Sequence, residues 1–232
     1  MNNLTSKEFE KQVCKQFACI LPVGAYEQHE PHDILETDFV IADYLAKKIG
    51  QIVELPVLPT VPYGISYVHK SFPGTIYISE DIYKGYISDI LESLKSNNVE
   101  KVFILNAHGG NYQSLKDACE SVEDETFNCN ILNWFECIND EIFLPEHRSH
   151  AGSMETSVLM AIDKKYIRED KVENMIPNES YRHTIISDML ECTYNGVILR
   201  ADGFSYDKGV QCIDYAIKYI SNEIEGNLCK KK

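Results

Sequence analysis

The stretch Lys101-Val102-Phe103-Ile104-Leu105, running on into Asn106-Ala107-His108-Gly109-Gly110-Asn111, decides how the chain is read. Val102 to Leu105 are apolar without alternation, the pattern of a strand buried on both faces. Two glycines then let the backbone turn tightly, and Asn111 to Ser121 is predicted to be helical. A two-sided strand that turns into a helix belongs to a layered α/β architecture. In such sheets sites form beyond the carboxyl ends of the strands, and His108 stands at such an end.

The same alternation extends in both directions. Phe17 to Val23 reads as a short apolar strand, Ile52 to Leu58 as a strand broken by Pro56 and Pro59, and Asn130 to Phe135 as another strand. Helices are predicted from Asp38 to Ile49, ending at Gly50, and from a Ser79 cap to about Ser96, with Ile82, Tyr86, Ile90 and Leu94 on one face. Two more run from Gly152 to Ile162 and from Lys208 to Glu225. The expected fold is a single α/β domain over residues 1–232, with a mostly parallel sheet flanked by helices.

Composition narrows the class. The net charge of -14 argues against a nucleic-acid partner, because phosphate binding needs clustered Lys and Arg. No window approaches ~18 continuous apolar residues, so no membrane span is expected. The polar start Met1-Asn2-Asn3-Leu4-Thr5-Ser6-Lys7-Glu8 lacks the regions of a signal peptide. The eight cysteines form no CxxC pair and no zinc-finger spacing, which fits reduced thiols in a cytoplasmic protein.

Chemistry concentrates in three clusters. Glu27-Gln28-His29-Glu30-Pro31-His32, with Thr37-Asp38, follows the first strand. In extended backbone Glu27 and His29 face one way and Gln28 turns away. Asp38 could fold back onto the same centre or serve as a helix N-cap. The second cluster surrounds His108. The third, His150-Ala151-Gly152-Ser153-Met154-Glu155-Thr156-Ser157, puts Glu155 in the first turn of a helix, where a carboxylate also suits the dipole. His69 lies in a turn-rich loop between Pro62-Tyr63-Gly64 and Phe72-Pro73-Gly74-Thr75, lining a pocket or simply exposed. Five of the seven histidines fall in these segments. Carboxylates and imidazoles without thiolate suit zinc, manganese or iron, and their number suffices for two metals sharing a carboxylate.

Together these strings resemble the creatininase (creatinine amidohydrolase) family, from about residue 18 to residue 220. The segment from Gly196-Val197 to Lys208-Gly209 fits it as well. The resemblance implies a single α/β domain that hydrolyses C–N bonds with two divalent metal ions per chain. Glu27, Asp38 and His108 match the ligands of one metal, and His29, Asp38 and Glu155 those of the other. Where creatininase itself has a Glu ligand, this chain has Gly110, like the branch that carries His-Gly-Gly-Asn, in which the residue matching Glu155 takes over. This departure argues against creatinine as substrate. Two further departures are Glu30, where Gly is usual, and Asp33-Ile34, where Leu-Pro is usual.

The function expected from this resemblance is cleavage of a C–N amide-type bond in a small molecule, a cyclic amide or a formamide, by a metal-activated water. His150 is the catalytic proton-transfer group. His32, His69 and Glu30 are the candidate substrate contacts, with His32 read alternatively as orienting a metal ligand and Glu30 as facing solvent. The alternatives are a peptidase acting on a short modified peptide, a non-catalytic metal- or ligand-binding scaffold, and a cysteine hydrolase. The resemblance also implies a homo-oligomer, a hexamer among the options.

Overall fold

A computed structural model describes residues 4–29, 31–173, 187–198 and 200–229. Its centre is a three-stranded parallel sheet, β1 Ala18–Val23, β2 Lys101–Asn106 and β3 Asn128–Asn133, in the order β1-β2-β3. The register pairs Val23 with Asn106 and Asn106 with Asn133, so the strands end level with one another. Six α-helices are described: α1 Ser6–Gln16, α2 Thr37–Ile52, α3 Glu80–Ser96, α4 Tyr112–Val122, α5 Ser153–Ile162 and α6 Tyr206–Cys229.

The strands are buried on both faces, which explains their unbroken apolar runs. Ile20, Phe103 and Leu105 point into a core shared with α2, α5 and α6. Cys19, Leu21, Val102 and Ile104 point the other way, into a core built with Val13 of α1 and with α3 and α4. The result is a three-layer α/β/α arrangement, as the strand pattern predicts.

Three readings need correction. Ile52 to Leu58 is not a strand: Ile52 ends α2, and only Val57 and Val61 make isolated parallel bridges to β1. Pro56 and Pro59 have no N–H to give a ladder, yet the segment still covers the edge of β1. Ile20 N donates to Pro56 O at 2.9 Å and Leu58 N to Ile20 O at 2.9 Å. The buried face of α3 is Tyr83, Ile87, Leu91 and Leu94, while Ile82 and Tyr86 are exposed. Two apolar ladders run along that helix, and the one closed by Tyr83 meets the sheet. Ser79 occupies the N-cap position without a side-chain cap bond. One helix was not anticipated: α1 begins with a capping box, in which Glu8 N donates to Thr5 Oγ1 and Thr5 N to Glu8 Oε2.

Candidate metal centre

The chemistry collects beyond the carboxyl ends of β1 and β2. Gly24 follows β1 and lies so close to α2 that a Cβ there would be 2.6 Å from Phe39 N. This contact brings the first turn of α2, and with it Asp38, beside Glu27. Thr37, not Asp38, is the first helical residue, and its hydroxyl donates to Ile34 O at 2.6 Å. His108 leaves β2, and Asn111 ties three loops together: its amide donates to Gly24 O at 3.0 Å and its carbonyl accepts from Ile65 N at 3.0 Å. Glu155 sits in the first turn of α5, where one oxygen accepts the Ala151 N–H at 2.8 Å.

Glu27, His29, Asp38, His108 and Glu155 are all buried and converge. Asp38 divides its oxygens: Oδ1 is 3.5 Å from His29 Nε2, and Oδ2 is 3.0 Å from His108 Nδ1. Glu27 Oε1 is 3.3 Å from His108 Nδ1, and Glu155 Oε2 is 3.8 Å from His29 Nε2. His150 joins from the other side, with Nδ1 3.3 Å from Glu27 Oε1. His69 is buried rather than exposed, with Nε2 3.8 Å from the same oxygen. Its ring and that of His29 flank the His150 ring, with centroids 4.4 and 4.3 Å away.

The placement of hydrogens tests whether a cation fits. A carbonyl can only accept, so each nitrogen facing one carries a hydrogen whatever the state of the rest of the ring. His29 Nδ1 faces Glu27 O at 3.2 Å, and His108 Nε2 faces Ile65 O at 2.9 Å. Their other nitrogens face carboxylates, which calls for positive charge there: a proton in the metal-free chain, or a cation that takes its place. Ligating histidines anchor their distal N–H in this way. Among the described residues, His29 Nε2, Glu27 Oε2 and Asp38 Oδ2 are buried without a hydrogen-bond partner. Ligand atoms of Glu27, His29 and Asp38 lie within 4.8 Å of one another, close enough to hold an ion. The donor set therefore fits divalent metal.

The electrostatics express the same need for positive charge. Burial works to lower the His29 pKa, but Asp38, Glu155 and Glu27 outweigh it and lift it to about 10. Burial likewise opposes protonation of His108, yet Glu27 and Asp38 hold that ring well above the imidazole range. Burial pushes Glu155 up to about 8, helped by Asp38, Asp33 and Glu27 and opposed by His29. Desolvation, reinforced by His29 and His69, holds His150 well below the imidazole range.

The other predicted residues separate. His32 is buried behind the centre, with Nε2 3.1 Å from Thr156 Oγ1 and 3.6 Å from Asp33 Oδ2. It does not line the pocket beside the centre, which favours the orienting reading over substrate contact. Glu30 lies outside the described residues. Gln28 does not turn away: the loop bends, and its fully buried amide contacts His69 and His150. Asp33 is also buried, accepting from Thr156 Oγ1 at 2.8 Å, and desolvation raises its pKa to about 7. Sequence reasoning missed the structural parts played by Gln28, Asn111 and Thr156, although all three sit inside the quoted strings.

The pocket measures about 240 Å³ and is lined by Glu27, Asp38, His108, Glu155, His69 and His150 together with Ile65, Val68, Gly109, Gly110, Phe135 and Arg148. Among the described residues no cysteine lines it, so the pocket lends nothing to the cysteine-hydrolase reading. A larger cleft of about 760 Å³, between α1 and the end of α3, is lined among the described residues by no histidine and by Glu10 as its one carboxylate.

A three-layer α/β fold with a buried His/Glu/Asp centre at its strand ends defines a metallohydrolase type of site. The chain belongs to the creatininase family, whose model, described as creatinine amidohydrolase, matches residues 2–224. It is 24% identical over 247 residues to the creatinine amidohydrolase of Pseudomonas putida, covering 97% of this chain and 95% of that protein. It is 31% identical over 159 residues to a mycofactocin precursor peptide peptidase of Mycolicibacterium smegmatis, covering 66% of this chain and 61% of that one. A third relative is a 2-amino-5-formylamino-6-ribosylaminopyrimidin-4(3H)-one 5'-monophosphate deformylase of Methanococcus maripaludis, 28% identical over 68% of this chain and 64% of its own. A crystal structure of creatininase shares the fold with a TM-score of 0.91 at 22% identity, covering 100% of this chain and 98% of that one. A manganese creatininase and a Zn–Zn type mutant creatininase each superpose with a TM-score of 0.90, at 22% and 20% identity, over 99% of this chain and 98% of theirs.

Proposed function

We propose that this chain is a dinuclear metal-dependent hydrolase that cleaves a C–N amide-type bond in a small molecule. In this reading Glu27, Asp38 and His108 hold one divalent ion, and His29, Asp38 and Glu155 hold the other. The carrying observation is the pair of anchored imidazoles, His29 and His108, whose free nitrogens face the two oxygens of Asp38. Gly110 is consistent with Glu155 as the sixth contact: a Cβ at 110 would overlap Ile65 O and His108 Nε2, so a carboxylate side chain there would disturb this His108 pose. That supports placing the chain in the branch carrying His-Gly-Gly-Asn.

Two such ions, when bound, supply Lewis acidity and bring the ionisation of a water toward neutral pH. The chain's own residues do the rest. His150 Nδ1, on the Glu27 side, is the bare nitrogen of the neutral ring and would take up a proton and pass it to the departing nitrogen. Amine expulsion requires that proton, and such transfer contributes about 10²–10⁴-fold. Ile65, Val68 and Phe135 are the large apolar side chains of the pocket lining. The small pocket favours a small amide or formamide. The alternative substrate, a short modified peptide, draws its support from the 31% identity to the mycofactocin precursor peptide peptidase. Cytoplasmic location, which rests on the reduced-thiol reading of the cysteines, and homo-oligomeric assembly, which rests on the family resemblance, complete the reading.

The test is a screen of zinc-, manganese- and iron-loaded protein against cyclic amides, formamides and short peptides, with and without chelator. Chelator-sensitive turnover of a small amide or formamide is the expected result. Turnover of peptides alone would favour the alternative. Metal uptake without any turnover would favour a non-catalytic scaffold.

A further inference from the structure

Gln28 stands between two of the proposed ligands, and its side chain is buried among imidazoles. Its amide nitrogen is 2.8 Å from His69 Nδ1, 3.0 Å from His150 Nε2 and 3.4 Å from Gly196 O. The backbone oxygen of the same residue lies 2.9 Å from His150 Nε2.

With the side-chain nitrogen on this side, one assignment turns three of these contacts into hydrogen bonds without pairing acceptor with acceptor, and leaves the approach of the Gln28 nitrogen to His150 Nε2 as a packing contact. A carbonyl accepts, so His150 Nε2 carries a hydrogen and donates it to Gln28 O. The amide nitrogen of Gln28 then donates to His69 Nδ1 and to Gly196 O, both of which can accept. A nitrogen that accepts carries no hydrogen, so neutral His69 bears its hydrogen on Nε2, on the side of Glu27 Oε1.

We propose that Gln28 is a positioning residue that fixes His69 as the Nε2–H tautomer. His69 thereby becomes a hydrogen-bond donor at the pocket and is withheld from the metal. The distinction has consequences because ligand atoms of Glu27, His69 and His150 also lie within 4.8 Å of one another. That trio would compete for an ion if His69 Nε2 presented a lone pair. With a hydrogen there, His69 can instead donate to Glu27 or to a substrate oxygen, and Glu27 stays directed toward His108. The consequence rests on the two-metal reading; the tautomer itself does not.

The experiment is long-range 1H–15N correlation spectroscopy on the full chain labelled at histidine, metal-free and zinc-loaded, with His69 assigned by His69→Gln. In the unaltered protein His69 Nδ1 is expected to show the shift of an unprotonated nitrogen and Nε2 that of a protonated one. Gln28→Glu offers only acceptors, so His69 Nδ1 becomes protonated. Gln28→Met offers no donor, so the His69 tautomers average. A protonated Nδ1 in the unaltered protein overturns the proposal, and so does a His69 pattern unchanged in both variants. Zinc that fails to bind while His69 keeps its Nε2–H sinks the metal reading alone. Two zinc ions bound beside a His69 protonated on Nδ1 sinks this proposal alone.

Discussion

Asp38 Oδ2 lies 3.0 Å from His108 Nδ1, while the opposite nitrogen of that ring is held by Ile65 O at 2.9 Å. The ring is therefore pinned with its other nitrogen against a carboxylate. Asp38 does the same toward His29 with its other oxygen. A first-turn helical carboxylate facing two strand-end histidines is the geometry on which the account depends.

His150 touches Glu27 and Gln28 but is not needed to hold either ion in this scheme. His150→Ala is expected to retain its metal and to lose about 10²–10⁴-fold in turnover. Metal analysis paired with kinetics checks this. An empty site in His150→Ala would make the residue a ligand.

Metal uptake should release protons. Burial opposes protonation of His29, but Asp38, Glu155 and Glu27 raise its pKa to about 10, so the metal-free ring is charged near neutral pH. A ligand imidazole must be neutral, so an ion displaces that proton and its affinity falls as pH falls. In the metal-free chain the folded state binds this proton more tightly than the unfolded state, whose pKa is about 6.5. That stabilisation is full below about pH 6.5 and fades as pH rises through about 10. Zinc titration calorimetry in two buffers of different ionisation enthalpy reads the release. Identical heats in both would contradict the raised pKa.

Gly110→Ala tests the seat of His108. The added Cβ would overlap His108 Nε2 and Ile65 O, breaking the anchor that orients the ring. Loss of such an anchor typically costs about 10–100-fold in metal affinity. Competition with a chromogenic chelator would measure it. Unaltered affinity would mean that the ring position is set elsewhere.

The core and the N-terminal helix should respond separately. Phe103 is fully buried in the middle strand, so Phe103→Ala is expected to cost about 3–5 kcal/mol. Thr5→Ala removes one half of an exposed capping box and is expected to cost about 1 kcal/mol. Chemical denaturation of the metal-free chain gives both values. A larger loss for Thr5→Ala than for Phe103→Ala would reverse the assignment of core and periphery.

Much of this was legible in the chain. Val102 to Leu105 announces a two-sided strand because no polar residue interrupts it, and the helices α2, α4 and α5 begin within one residue of their predicted starts. The segment around Pro56 misleads because it is apolar enough for a strand but lacks donors at its prolines. The start of α1 was written in Thr5 and Glu8, a signal that a polar N-terminus hides. Glu27, His29, Asp38, His108, His150 and Glu155 stood out because histidines are few, seven in the chain, and most of them fall in short strings near carboxylates. Gln28 did not, because its contacts with His69 and with His150, 122 positions away, exist only after three loops meet.

Metal stoichiometry tests the central claim most directly. The chain loaded with zinc or manganese, freed of excess and analysed by mass spectrometry for metal and protein, should carry two ions, and Asp38→Ala should carry none because both share that carboxylate. A single ion in the unaltered chain, or two ions still bound by Asp38→Ala, would contradict the account.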